Sequence, residues 1–360
     1  MPADAPLCHS HAAMGPEDFD YRLPPEQIAQ APAARRGEAR MLVLAGENPL
    51  GHSRARELPR HLPKDALVVV NDSQVVPARL YLQRGHDDRR FELLVCDPAP
   101  GLAAGSSFRA WVRGAKRLKE GDRLAAGGLS CRYRGPDPVD PRARSFVIEG
   151  GELLPVLEAQ GEIPLPPYIH RESGPSEADR QRYQTTYARD PGSVAAPTAG
   201  LHWEPEVLQA LDVAPITLHV GPGTFLPMEA SDVRDHRVGS ERYSISEGSA
   251  ARIRAAKAAG RPVVAVGTTA TRALESVAKA NDGEIVTGSG STDLVITPGH
   301  TFRVVDLLIT NFHLPKSSLL MLVSAFGGHE RVMAAYRAAV AEGYRFYSYG
   351  DCMLVGRSRG

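Results

Sequence analysis

The chain reads as an α/β protein interrupted by a small antiparallel β-barrel, and three observations predict this. Short apolar runs at residues 41–44, 66–70, 262–266 and 307–309 lack polar alternation, which suits strands covered on both faces. Several of these runs end in polar residues, and two lead directly to helix-start signals. From about residue 78 to 149 the texture changes to short strands with Gly/Pro-rich turns and no helical period. There Phe108, Ala110 and Val112 alternate with Arg109, Trp111 and Arg113, the period-two pattern of a half-buried strand.

A length of 360 residues exceeds what one hydrophobic core usually serves. We therefore expect an α/β domain made of residues 18–77 and 156–360, with residues 78–155 inserted as the barrel. Residues 1–17 mix Pro, Ala, His, Asp and Glu, have no basic start or apolar core, and read as a disordered extension rather than a signal peptide. The longest strongly apolar runs, such as 319–323, fall short of the roughly 18 residues of a membrane span. Cys8, Cys96, Cys131 and Cys352 show no paired spacing, so a reducing cytoplasm fits and no metal knuckle is expected. Cys8, His9 and His11 have the chemistry to hold a stray metal, as flexible termini often do.

Net charge is zero, yet residues 79–144 carry 14 Arg and Lys against 8 Asp and Glu. A local basic excess on a neutral chain suits contact with a phosphate backbone, and suits equally a solvated Arg-rich β surface.

Chemistry-bearing residues collect where apolar runs end. Leu307-Leu308-Ile309 passes into Thr310, Asn311 and His313 before Pro315 and Ser317 mark a helix start. In open α/β sheets ligands gather at strand carboxyl ends, so a hydroxyl, an amide and an imidazole there suit a ligand; a turn-capping Asn and a satisfied loop His suit the same spacing. Residues 66–70 run into Asn71 and Asp72. The segment Gly192 to His202 is crowded with small residues around Thr198 and Gly200, which lets backbone approach a ligand closely. Thr217 and His219 share one face of an alternating strand, followed by Gly221-Pro222-Gly223-Thr224. Residues 262–266 run into Gly267-Thr268-Thr269 and Arg272, a helix start that favours negative charge, with helix capping by threonine as the competing reading. A helix stripe at Val332, Ala335, Tyr336 and Ala339 precedes an expected closing strand over residues 344–349 and then Asp351.

Seven stretches in order resemble one family, the S-adenosylmethionine:tRNA ribosyltransferase-isomerases of queuosine biosynthesis. They are residues 69–80 (VVNDSQVVPARL), 161–169 (GEIPLPPYI), 183–202, 217–225 (TLHVGPGTF), 266–275 (VGTTATRALE), 304–326 and 344–351 (YRFYSYGD). The resemblance implies an α/β barrel-like main domain with an inserted small antiparallel β-barrel. It also implies a cytoplasmic monomer that uses S-adenosyl-L-methionine as ribosyl donor, modifies tRNA bearing the queuosine precursor base, and needs no metal. On that basis His219, His236, Glu241, His313 and Asp351 are candidates for acid–base work. Thr198, Gly200, His202, Thr224, Thr268, Thr269, Arg272, Thr310 and Asn311 are candidates to hold the donor. Asn71, Asp72, Arg79, Arg113, Lys116, Tyr183 and Arg345 are candidates for substrate or tRNA contact. This chain departs from the pattern in having Gly239 where the family usually reads His, with His236 available to cover that role, and Pro222 in place of the commoner alanine. Two rival classes are a tRNA-binding protein without catalysis and an unrelated nucleotide- or phosphosugar-binding enzyme; no phosphate-loop or dinucleotide glycine fingerprint supports the latter.

Overall fold

Among the described residues nine strands form one mixed sheet whose order sets the polar strand ends side by side. From edge to edge they are Gly288–Thr292, Glu241–Ile245, Asp212–Leu218, Leu67–Asn71, Val263–Val266, Leu307–Asn311, Cys352–Gly356, Arg40–Leu44 and Gly51–Arg54. The computed structural model describes residues 14–46, 50–87, 89–225 and 236–358. The four strands from Asp212–Leu218 to Leu307–Asn311 run parallel, and Cys352–Gly356 runs against them. Residues 67–71, 263–266 and 352–356 are buried along their whole length, which is why those runs are almost uniformly apolar.

Helices Glu247–Ala258, Thr268–Ala280, Ser318–Gly327 and His329–Ala341 carry much of the covering apolar surface. Two of them start where the serines say they should. Ser246 Oγ accepts from Ser249 N at 3.2 Å and Ser317 Oγ from Leu320 N at 3.3 Å. Among the described residues no helix is long and apolar enough to cross a membrane.

Six further strands, Arg79–Arg84, Arg90–Val95, Ser107–Val112, Arg123–Ala126, Leu129–Pro136 and Ala143–Gly150, pair antiparallel all the way round and close into a barrel. Phe108 and Ala110 point inward with Leu82, Phe91, Leu93 and Phe146, as the alternation requires. At the barrel root Arg79 and Glu162 exchange backbone hydrogen bonds at 3.2 and 2.8 Å.

Two expectations change. The main part, expected to be barrel-like, is an open sheet: its edge strands Gly288–Thr292 and Gly51–Arg54 do not pair with each other. Both flanks end in antiparallel pairs, a hairpin of Arg40–Leu44 with Gly51–Arg54 at one edge and the sequence-distant pair Glu241–Ile245 with Gly288–Thr292 at the other, and neither continues the parallel strand–helix repeat that closure needs. Residues 344–349 form a tight turn rather than a strand. Tyr347 takes a left-handed backbone (φ 72°), Gly350 N donates to Tyr347 O, and the strand begins only at Cys352.

Candidate active site

The parallel strands finish in buried polar side chains that bond to one another across strand boundaries. Asn71, fully buried, donates from Nδ2 to Leu218 O (2.8 Å) and lies 3.4 Å from Thr269 Oγ1, while its Oδ1 accepts from Leu218 N and Ser73 N. The amide thus extends pairing past the point where the two strands separate. Asp72 accepts from Thr217 Oγ1 and from Arg189 Nη2, each at 2.7 Å. Ser193 Oγ donates to Ser73 Oγ and accepts from Val220 N.

His219 follows on the same strand. Its Nε2 is 4.0 Å from Asp190, and its Nδ1 is buried without a partner among the described residues. Gly192 lies so close beneath the ring that a Cβ there would meet Nδ1 at 2.8 Å. Burial, with Arg242 adding to it, lowers the imidazole pKa against the opposing pull of Asp190.

The next strand end leads into the helix Thr268–Ala280 through Gly267, which has no side chain to cap it. Neither Thr268 nor Thr269 is the cap, so the first-turn N–H groups have no side-chain acceptor at the N-cap. Ala199, in the turn Thr198–His202, packs against Gly267. Arg272, one turn on, is paired with Glu241 at 2.5 Å and donates from Nε to Leu294 O; its Nη2 is buried and unpartnered among the described residues. Glu241 also accepts from Gly221 N at 3.1 Å.

Thr310, Asn311 and His313 close the row. Asn311 Nδ2 is 3.1 Å from His202 Nε2 and 2.9 Å from Tyr347 O, and Asn311 Oδ1 is buried with no partner among the described residues. Thr310 Oγ1 and His313 Nε2 are 2.7 Å apart. Burial drives the His202 pKa down to about 4 and that of His313 to about 3, so both imidazoles are neutral at neutral pH. An open groove of about 640 Å³ is lined by Tyr21, Leu23, Ile28, Leu314 and Pro315 among others, on the loop that follows the buried His313.

The strand ends therefore bring together His219, Thr268, Thr269, Arg272, Glu241, Thr310, Asn311, His313 and His202. Asp351 lies at this end of the sheet too, but both its oxygens accept backbone N–H groups, from Arg40 and Arg345 at 2.8 Å each. It holds the turn together rather than presenting a free carboxylate. His236 precedes the strand Glu241–Ile245, and its carbonyl accepts from Arg237. The Thr224 side chain, like residues 1–13 with Cys8, His9 and His11, lies outside the described residues.

Several residues expected at ligand or RNA contacts are turned inward. Asn71 and Asp72 are buried and spend their polar atoms on neighbouring strands. Tyr183 is 1% exposed and packs with Ile163, Leu165 and Tyr349, so its ring offers RNA no face. Gly200 leaves no room for a ligand, because the Tyr187 hydroxyl fills the space a Cβ would take. Arg345 is half-buried, donating to Ala31 O and lying 3.8 Å from Asp351. On the barrel, Arg79 pairs with Glu92 near the root, and Arg113 and Lys116 are exposed. The barrel edge meets the sheet at Asp97, which pairs with Arg242 at 2.8 Å, and Arg242 O accepts from His219 N. Ser73, Ser193, Arg189 and Asp190 belong to this assembly and had not been singled out; a serine before a run of small residues carries no distinguishing signal.

An open α/β sheet with neutral imidazoles, amides and a buried ion pair at its strand ends, beside a basic barrel, defines an enzyme-like scaffold for a polar ligand. Comparison with known proteins narrows this. Residues 16–355 match the model of a family described as queuosine biosynthesis protein. Proteins called S-adenosylmethionine:tRNA ribosyltransferase-isomerase are similar along nearly their whole length. The one from Anaeromyxobacter sp. (strain Fw109-5) is 47% identical over 95% of this chain and 99% of its own. The one from Thermus thermophilus is 46% identical with the same coverages. The crystal structure of the S-adenosylmethionine tRNA ribosyltransferase of Thermotoga maritima superposes with a TM-score of 0.52 at 32% identity, over 94% of this chain and 99% of that one. The chain belongs to the queuosine biosynthesis protein family.

Proposed function

We propose that this chain is an S-adenosylmethionine:tRNA ribosyltransferase-isomerase. It transfers and isomerises the ribosyl group of S-adenosylmethionine onto 7-aminomethyl-7-deazaguanine in the tRNA anticodon, giving epoxyqueuosine-tRNA, adenine and methionine. Family membership supports the reaction. The observation that carries the assignment of the site is that three strand-end groups, the acceptor Asn311 Oδ1, the donor Arg272 Nη2 and His219 Nδ1, are buried without hydrogen-bond partners among the described residues. Buried polar groups without partners call for a ligand or another explanation, and a substrate with ribose hydroxyls and a carboxylate supplies complements to the first two.

The chemistry asks for a neutral base. The sulfonium acidifies the neighbouring C5′ protons, and an imidazole kept neutral by burial is ready to take one. His219, whose Nδ1 has no partner among the described residues, fits that role better than His313, which a pKa near 3 makes a weak base and whose Nε2 is engaged by Thr310; a proton must then reach adenine as it leaves. Glu241 and Asp351 act on this reading through the groups they hold. The first-turn amides at Thr268 and Thr269, with Arg272, receive the carboxylate. Residues 78–155 form the tRNA-gripping insert, and residues 18–77 with 156–360 the catalytic part, working in the cytoplasm where its tRNA is.

The test is incubation with S-adenosylmethionine and precursor-bearing tRNA, with free adenine as readout. TRNA-dependent adenine release is expected, and His219→Ala and His313→Ala should slow it by roughly 10²–10⁴-fold for whichever is the base. Near-wild-type rates in both variants would remove the base assignment, and no adenine from the unaltered protein would remove the reading itself.

A further inference from the structure

Asn311 is held by two groups that nothing in the reaction requires directly, and the way they hold it decides what it presents. The Tyr347 carbonyl can only accept a hydrogen bond, so the atom of Asn311 lying 2.9 Å away must be the amide nitrogen; the flipped amide would set two oxygens against each other. The second N–H then points to His202 Nε2 at 3.1 Å, which must be the unprotonated ring nitrogen. Both donors are used, and Oδ1 is left buried and without a partner among the described residues.

The carbonyl that fixes this orientation sits on a strained backbone. Tyr347 is one of three non-glycine residues with positive φ among those described, and the bulkiest side chain of the three. Its conformation is over-determined: its N–H donates to Phe312 O, its carbonyl also accepts from Gly350 N, its ring lies 4.1 Å from that of Tyr168, and Asp351 closes the turn onto Arg345, donating from its N–H to Arg345 O and accepting Arg345 N–H at its carboxylate. Gly350 permits the turn, since a Cβ there would meet Arg345 O at 2.5 Å. Such strain persists where surrounding structure insists on it, commonly at functional sites.

We propose that His202 and the Tyr347 carbonyl are positioning groups that lock the Asn311 amide so that Oδ1 faces the ligand as a fixed acceptor. It would take a hydrogen bond from an O–H or N–H of the nucleoside part of the sulfonium substrate. This rests on the reading of the site given above. His202 acts through Asn311 and does not touch the reacting atoms.

The test compares His202→Leu, which removes the acceptor, with His202→Gln, whose carbonyl oxygen restores one. S-adenosylmethionine affinity is measured by calorimetry, kcat and KM by adenine release, and exchange of the Asn311 side-chain amide protons by NMR on the unliganded protein. The leucine variant is expected to weaken S-adenosylmethionine binding and raise its KM by roughly ten- to a hundredfold, with kcat much less affected, and to speed amide exchange. The glutamine variant is expected to recover most of both. Equal impairment in the two variants, or unchanged amide exchange in the leucine variant, would overturn the proposal even if that variant melts earlier. If the unaltered protein binds S-adenosylmethionine and releases adenine while both variants match it, only the positioning role falls. If the unaltered protein does neither, the reading of the site falls with it.

Discussion

The sheet end and the barrel use the same residue types for opposite ends. At the sheet end Arg272 and Glu241 are paired with both side chains about 7% exposed, and the neighbouring imidazoles are neutral because water is excluded. On the barrel Arg123 and Arg132 both share Glu149, Arg113 reaches Glu92 with 86% of its side chain in solvent, and Lys116, Arg117 and Lys119 are exposed without a carboxylate partner among the described residues. Where water is excluded, each polar group fixes the orientation of the next. Where water is present, the charges create a field, and its value lies in attraction rather than rigidity.

The sharpest way to break this contrast is to remove one buried partner. Arg272→Met leaves Glu241 buried beside Gly221 N alone, and should cost about 3–5 kcal/mol of stability in urea unfolding. Adding Glu241→Gln should return a good part of that. A loss near that of an exposed pair, below about 1 kcal/mol, would place the sheet-end pair in the barrel's class.

Acid titration comes next in size. His202 and His313 have folded pKa values near 4 and 3, below the roughly 6.5 of the unfolded chain. Between about pH 6.5 and 4 the unfolded state binds protons that the folded state refuses, so stability falls on acidification by about 1.4 kcal/mol per pH unit for each histidine. His313→Gln should flatten the slope of unfolding free energy against pH by that amount over this window. An unchanged slope would mean that water reaches the ring.

The barrel should respond through salt. Reversing Lys116, Arg117 and Lys119 to Glu should lower tRNA affinity about tenfold at low ionic strength and reduce the salt dependence by up to about one per lost phosphate contact. S-adenosylmethionine affinity should stay put. Equal salt slopes before and after would move the RNA surface away from this turn.

Much of the strand-end row was legible in the sequence, because a buried parallel strand writes itself as an apolar run and Thr310, Asn311, Thr268 and Thr269 follow such runs directly. The alternation around Phe108 likewise announced the barrel. What escaped was direction. Asn71 and Asp72 follow a buried run just as Thr310 and Asn311 do, yet they turn sideways to splice two strands, a choice made by partners more than a hundred residues away such as Leu218, Arg189 and Thr217. Tyr183 has an amphipathic ring that suits both core and RNA, and only packing decides between them. The aromatic run at 344–349 had strand propensity, but Asp351 and Gly350 bent it into a turn.

The sheet carries a lesson about timing. Cys352–Gly356 lies between Leu307–Asn311 and Arg40–Leu44, so one of the earliest strands to be synthesised meets its parallel neighbour some three hundred residues later. A nascent chain can therefore carry every strand of its barrel while the first hairpin, Arg40–Leu44 with Gly51–Arg54, still lacks the strand that joins it to the rest of the large sheet.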